Sequence, residues 1–215
     1  SWGTQSLDAD LDGWPDLVIA NGQVDDLRDE GRDYQMRPQF FRNQFGQFHE
    51  LMPEDIGRWF ADKYLGRGLA RVDWNLDGLP EFIVSNINSP LAVLRNSSTK
   101  TGHYLKFRLV STRTARDAIG ARVSVLVGNR SVTRQLLAGD GYMTSNERII
   151  HFGLGSVNRV ERVTISWPSG TVSELDSVPG DSSFTVVEGS KLATLSDASG
   201  ALSSFSVVLA AEGQP

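Results

Sequence analysis

The length, composition and charge of the chain exclude several classes of protein. Its 215 residues are 40% hydrophobic and 22% charged, which is the balance of a folded globular protein and not of a disordered one. The net charge of −5 provides no basic face, so we expect no nucleic-acid partner. The absence of cysteine excludes disulfides, zinc–thiolate sites and thiol catalysis.

Targeting and membrane signals are also absent from the sequence. No apolar run reaches the ~18–20 residues that a membrane span needs, so no membrane span is predicted. The chain begins at Ser1 with neither an initiator Met nor a signal peptide. We therefore expect a processed form or a fragment from which any export signal has been lost.

Residues 1–98 predict short strands arranged as two copies of one repeat. Each copy runs from an acidic loop into an apolar strand, then through a variable insertion to a second strand that ends in Arg-Asn. The acidic loops begin at Asp8 and Asp73, a spacing that suits one four-stranded propeller blade with a loop. Two blades do not close a propeller, so we expect either further blades before Ser1 or packing against another chain.

From about Tyr104 the pattern changes to alternating apolar and polar residues with Gly-rich turns. This pattern predicts a small antiparallel β-sandwich over residues 103–190. The Ala-, Ser- and Gly-rich residues 191–215 predict one C-terminal strand or a linker tail. The predicted fold class is therefore all-β, with a partial β-propeller in residues 1–98 followed by the sandwich.

The first acidic loop presents carboxylates at relative positions 1, 3, 5 and 9, with glycine at position 6 for a sharp turn. Together with the backbone carbonyl of position 7, these oxygens can converge on one ion. Hard oxygen ligands in this number are typical of calcium, which accepts about six to eight. The predicted ligands are Asp8, Asp10, Asp12, Trp14 through its carbonyl, and Asp16.

The second acidic loop keeps the same register, including glycine at position 6 and proline at position 8. Its predicted ligands are Asp73, Asn75, Asp77, Leu79 through its carbonyl, and Glu81. Asn75 replaces one carboxylate by a neutral oxygen, so the ligand set carries one negative charge fewer than in the first loop. We therefore predict two calcium sites, of which the second binds more weakly.

Two other interpretations fit an Asp-rich loop of this kind. An EF-hand requires glutamate at position 12 between helices. That position is Ile19 in the first loop and Val84 in the second, both inside apolar strands, so the EF-hand fails. The remaining alternative is an Asp-rich surface turn that binds nothing.

The first half of the chain resembles FG-GAP repeats, which form the calcium-binding propeller blades of integrin α-subunits. The resemblance is carried by the two acidic loops, each followed by Leu-Val-Ile or Phe-Ile-Val, and by Asn21-Gly22 after the first strand. It implies propeller blades with structural calcium at an extracellular or cell-surface location. Asn75 and Glu81 depart from the usual ligands and weaken the expectation for the second site.

The second half resembles the ASPIC/UnbV domain, which follows such repeats in cartilage acidic proteins and their bacterial relatives. The matching stretches are residues 116–123, 139–142, 151–155 and 167–170. One departure is Asn146, because relatives tend to carry Ser-Gln where this chain has Ser145-Asn146. No consequence of that change can be derived from the sequence.

These observations favour a non-enzymatic adhesion or scaffold protein with calcium in a structural role. The partner is expected to be a protein or a glycan at the cell surface, the rest of a propeller or another chain. No catalytic residue is predicted, because three scattered histidines and the absence of a nucleophile-elbow motif leave no catalytic constellation. The alternative is a carbohydrate-binding or carbohydrate-active protein that uses exposed tryptophans, with Trp14, Trp59, Trp74 and Trp167 as candidates.

Overall fold

The computed structural model describes residues 1–99 and 101–210, and in them the prediction of an all-β fold is confirmed. The chain forms two compact units, and neither is a continuous stretch of sequence. The first comprises residues 1–9, 14–99 and 139–147, and the second comprises residues 10–13, 101–138 and 148–210. Within the described part of the chain, no helix has the length and apolar character needed to cross a membrane.

The first unit contains two antiparallel sheets. The four-stranded sheet has the order β1 (Gly3–Leu7), β2 (Asp16–Ala20), β3 (Gln39–Gln44), β4 (Gln47–Leu51). The three-stranded sheet has the order β5 (Gly66–Val72), β6 (Glu81–Asn86), β7 (Ala92–Leu94). The helical segments are the four-residue α1 (Pro53–Ile56) and the 3₁₀ segments Arg28–Glu30 and Arg58–Ala61. Neither sheet closes on itself, so the propeller stays a prediction.

Both sheets place an acidic loop at the tip of a hairpin in the same register. In the first sheet Leu7 of β1 pairs with Asp16 of β2, and in the second Val72 of β5 pairs with Glu81 of β6. The ninth loop residue is therefore already the first residue of a strand. The apolar side chains that follow anchor each hairpin in one core, whose buried members are Leu7, Val18, Ala20, Phe40, Phe60, Leu69, Phe82 and Val84.

The second unit contains ten strands among the described residues. They are β8 (His103–Val110), β9 (Arg122–Val127), β10 (Arg130–Gln135), β11 (Ile150–Gly155), β12 (Arg159–Ser166), β13 (Val172–Pro179), β14 (Ser182–Val187), β15 (Leu192–Asp197), β16 (Leu202–Ser206) and β17 (Val208–Ala210). One sheet has the order β10-β9-β12-β13-β17 and the other β11-β8-β14-β15-β16. The two sheets share one apolar core, in which the rings of Phe107 and Phe184 stack with centroids 5.5 Å apart.

Two features of this sandwich differ from the sequence prediction. Strand β14 pairs with β8 in parallel, whereas the other pairings of the sandwich among the described residues are antiparallel. Alternating hydrophobicity reports which face of a strand is buried and carries no information about strand direction. Residues 192–210 form three strands instead of one strand or a linker, while residues 211–215 of the predicted tail lie outside the described residues.

Candidate metal sites

The two acidic loops share an unusual backbone conformation. Position 4 is left-handed in both, with φ of 59° at Leu11 and 61° at Leu76. Position 6 is also left-handed, with φ of 87° at Gly13 and 88° at Gly78. A non-glycine residue in this region costs about 1–3 kcal/mol and persists only where its surroundings impose it. Both loops therefore impose the same path on the chain, despite different side chains at four of their nine positions.

The first loop brings three of its predicted ligands together. Among the described residues, one group of three potential metal-ligating side chains has its ligand atoms all within 4.8 Å of one another, and it consists of Asp8, Asp10 and Asp12. Asp8 is only 2% exposed. Carboxylates this close repel one another when ionised, and a cation between them converts the repulsion into attraction. The donor set is that of a hard cation.

Asp16, the last predicted ligand of the first loop, closes the loop through the backbone. Its Oδ2 accepts a hydrogen bond from the Ala9 N–H at 3.0 Å, and its Oδ1 accepts one from the Asn43 N–H at 2.8 Å. Asp16 is 2% exposed. Trp14, predicted to ligate through its carbonyl, packs its ring edge-on against Phe45 at 5.7 Å. The structure thus shows Asp16 as the residue that ties both ends of the loop to β3.

The buried half of the second loop consists of Asp73 and Glu81. Asp73 accepts a hydrogen bond on Oδ2 from the Gly78 N–H at 3.0 Å, which closes the tight turn. Glu81 is completely buried, and its Oε2 accepts from the Trp74 N–H at 3.3 Å. Within the described part of the chain, Glu81 Oε1 is buried and has no hydrogen-bond partner. A carboxylate oxygen in this state calls for a cation or a proton.

Electrostatics at Glu81 lead to the same requirement. Burial raises the pKa of Glu81 from 4.5 to about 7, and the neighbouring carboxylates of Asp77 and Asp73 add to the increase. Hydrogen bonds from the backbone of Trp74 and Asn96 lower the pKa without cancelling this increase. Near neutral pH this carboxylate therefore ionises only at a cost, which a bound cation would offset.

The exposed half of the second loop bonds to itself. Asn75 donates from Nδ2 to Asp77 Oδ2 at 2.7 Å, and Asn75 Oδ1 accepts from the Asp77 N–H at 3.2 Å. Asp77 Oδ1 also accepts from the Leu79 N–H at 2.9 Å. These bonds leave a lone pair on Asn75 Oδ1 and on Asp77 Oδ2 that an ion could use. The prediction that the second loop binds more weakly continues to rest on the lower charge of its ligands.

The structure adds two positioning residues that the sequence prediction did not include. Asn43 donates from Nδ2 to the Pro15 carbonyl at 3.0 Å, and Asn96 donates from Nδ2 to the Pro80 carbonyl at 3.3 Å. Each asparagine thus holds the proline at position 8 of its own loop. Asn96 also donates to the carbonyl of Ala9 in the first loop at 2.8 Å, so one amide reaches both loops. The repeated Arg-Asn was the signal in the sequence that could have identified both residues.

The tryptophans proposed for carbohydrate stacking differ in exposure. Trp167 is 4% exposed and donates from Nε1 to Ser173 Oγ at 2.9 Å, so it is a core residue. Trp59 packs on Tyr64 with ring centroids 5.2 Å apart, at the edge of the first core. Trp74, at position 2 of the second loop, is 59% exposed. Trp167 and Trp59 therefore serve packing, and the carbohydrate alternative loses its principal candidate.

Comparison with known proteins matches the second half of the chain most clearly. A family model described as ASPIC and UnbV matches residues 111–193. Cartilage acidic protein 1 of Homo sapiens is 29% identical over 122 residues, which are 54% of this chain and 18% of that protein. The Mus musculus protein of the same name is 31% identical over 111 residues, which are 49% of this chain and 17% of that protein. The chain thus spans less than a fifth of the length of the curated relatives it matches, and the predicted resemblance to ASPIC/UnbV is confirmed for residues 111–193.

Proposed function

We propose that the loops 8–16 and 73–81 bind calcium, and that the ions hold the hairpins in place without taking part in catalysis. The observation that carries this proposal is Glu81, a completely buried carboxylate with one oxygen that has no hydrogen-bond partner within the described residues. The cluster of Asp8, Asp10 and Asp12 is a second, independent observation in the other loop. In both loops, carboxylate oxygens lie where a cation would compensate their negative charge.

Calcium suits these loops better than magnesium. Calcium accepts carboxylate, amide and carbonyl oxygens in flexible geometry at ~2.3–2.6 Å, whereas magnesium requires a near-ideal octahedron at ~2.0–2.1 Å and keeps several waters. A nine-residue loop that mixes buried and exposed oxygens matches the flexible geometry. An ion that binds only the folded state stabilises it by about 2.7 kcal/mol at a free concentration 100 times Kd.

We further propose that the first unit consists of FG-GAP-like propeller blades. The support is the internal repeat: two hairpins close in the same register, their loops share left-handed positions 4 and 6, and an asparagine holds the proline in each. Incomplete blades expose strand edges, which need cover from other strands. The rest of a propeller, or another chain, would supply that cover.

The proposed setting is extracellular or at the cell surface, where the protein would act in adhesion or as a scaffold for a protein or glycan partner. The support is the similarity to cartilage acidic protein 1, whose name places it in cartilage. Extracellular modules bind calcium with Kd of about 10⁻⁴–10⁻³ M, and we expect affinities in this range for the two loops.

The direct test is a calorimetric titration of calcium into chelator-treated protein, with Asp12→Ala, Asp77→Ala and the control Asp176→Ala alongside. Asp176 is an exposed aspartate of β13 that pairs with Arg162, so its loss changes the net charge equally without touching a loop. We expect two sites in the unmodified protein and in the control, and one site in each loop variant. A titration of the unmodified protein without binding heat, repeated at a second temperature, would refute the proposal.

A further inference from the structure

The segment 139–147 lies between β10 and β11 in sequence, yet it belongs to the first unit. It is fixed there through Gln5 of β1 and Leu69 of β5. Gln5 is 4% exposed and donates from Nε2 to the carbonyls of Asp140 at 2.7 Å and Leu69 at 3.2 Å. Thr144 donates from Oγ1 to the same Leu69 carbonyl at 3.0 Å. The segment is therefore built into the unit by directional bonds to both strands.

Asn146 links this segment to the end of β5. Its side chain is 7% exposed, and its Oδ1 accepts a hydrogen bond from the Arg71 N–H at 2.6 Å. Its Nδ2 donates to Gln5 Oε1 at 2.9 Å. Because Asn146 uses both ends of its amide, it fixes the backbone of Arg71 relative to β1. Arg71 lies two residues before Asp73, the first predicted ligand of the second loop.

Glu147 continues the same contact by one residue toward the loop. Its N–H donates to the Arg71 carbonyl at 3.2 Å, and its Oε2 accepts from the N–H of Asp73 itself at 3.3 Å. The backbone on either side of Val72 is thus held by two consecutive residues of the segment. The position at which Asp73 enters the loop depends on these bonds.

We propose that Asn146 and Glu147 are positioning residues for the second calcium loop, and that they set its affinity by fixing the backbone at Asp73. This inference rests on the proposed calcium function. It also gives a role to Asn146, whose departure from the usual glutamine has no consequence that the sequence reveals. Asparagine is one methylene shorter than glutamine, and here it spans Arg71 and Gln5 at 2.6 Å and 2.9 Å.

The test measures calcium affinity at the second loop alone, in an Asp12→Ala background that removes the first site. Asn146→Ala and Glu147→Ala should each weaken binding by about 10-fold, the lower end of what outer-shell partners of metal ligands contribute. Glu147→Gln should retain most of the affinity, since the glutamine oxygen can still accept the Asp73 N–H. The same substitutions in an Asp77→Ala background should leave the affinity of the first loop unchanged.

The matched control is Asn21→Ala, which also removes a buried amide from the first unit. Asn21 is 6% exposed and donates from Nδ2 to the Arg37 carbonyl at 2.9 Å and to Gln39 Oε1 at 3.0 Å, and neither bond involves residues 139–147 or the second loop. It should lower the melting temperature and leave the affinity of the second loop unchanged. Unchanged affinity in both Asn146→Ala and Glu147→Ala would overturn the inference. An Asp12→Ala parent that binds no calcium would instead overturn the proposed function of this loop.

Discussion

Among the described residues, each unit contains one buried glutamate, and the two have opposite surroundings. Glu188, in the second unit, is 3% exposed and surrounded by donors: Ser111 Oγ at 2.5 Å, Thr171 Oγ1 at 2.9 Å, the Thr112 N–H at 3.1 Å, the Arg113 N–H at 3.2 Å, and Ser169 Oγ. Burial acts to raise the pKa of Glu188, but the hydroxyl and N–H donors outweigh it and bring the pKa to about 2.

Glu81, in the first unit, has much less of this compensation. It receives a 3.3 Å hydrogen bond on Oε2 from the Trp74 N–H and a weaker contribution from the backbone of Asn96, and its pKa is about 7 because burial and two nearby aspartates outweigh them. The comparison of Glu188 with Glu81 shows that burial alone does not make a carboxylate a metal ligand. The hydrogen-bond donors around Glu188 satisfy its carboxylate, so Glu188 is a structural residue. Glu81 lacks enough donors for its buried charge, and a cation would compensate that charge.

The largest effect on stability is expected from removing the carboxylate of Glu188. Glu188→Ala leaves the donors around it without their acceptor inside the sandwich, and we expect a loss of about 3 kcal/mol in the free energy of unfolding. Calcium should not change this loss. Urea unfolding with and without calcium measures the loss of stability under both conditions. A loss that depends on calcium would contradict the structural role of Glu188.

The second largest effect on stability is expected from replacing Glu81. Glu81→Gln removes the buried charge, so the calcium-free protein should become more stable while the second loop loses its calcium affinity. At calcium 100 times Kd the unmodified protein should therefore hold an advantage of about 2.7 kcal/mol from this site that the variant lacks. Thermal unfolding in chelator and in calcium provides the comparison, and equal calcium stabilisation of both proteins would contradict the assignment of Glu81 as a ligand.

The two glutamates should also give opposite pH dependences. The folded pKa of Glu188 lies below its ordinary value of 4.5, so its contribution to stability is present above pH 4.5 and is lost as pH falls toward about 2. The folded pKa of Glu81 lies above 4.5, so in calcium-free protein its contribution is present below pH 4.5 and is lost as pH rises toward about 7. Stability measured against pH in chelator, with Glu81→Gln and Glu188→Gln as matched variants, should show each slope disappear in its own variant.

The smallest expected effect concerns the asparagines that hold the loops. Asn43→Ala should weaken calcium binding at the first loop, and Asn96→Ala at both, since only Asn96 contacts both loops. Each hydrogen bond is worth about 1 kcal/mol, so the affinities should fall about fivefold. Titrations in the Asp12→Ala and Asp77→Ala backgrounds separate the loops, and an Asn96→Ala variant that affects one loop alone would disprove the shared contact.

Periodicity and local motifs were sufficient to predict the all-β fold and the ASPIC/UnbV resemblance of residues 111–193. They were sufficient because alternation and Gly-rich turns are local properties of the chain. The parallel pairing of β14 with β8 was not predictable in this way, since it joins strands far apart in sequence. The same holds for Glu188, whose donors come from two turns, and for the segment 139–147, which joins the first unit through side-chain hydrogen bonds such as those of Gln5 and Asn146.

The proposal that Glu81 ligates calcium is tested most directly by the number of protons released when calcium binds to the second loop. Calorimetric titrations of the Asp12→Ala protein at pH 6.5, in buffers of different ionisation enthalpy, measure both calcium binding and proton release. The raised pKa of Glu81 predicts that calcium binding releases a proton there, and that the Glu81→Gln protein shows neither the binding nor the release. Calcium binding without proton release, or no binding at all, would contradict the proposal that Glu81 ligates calcium.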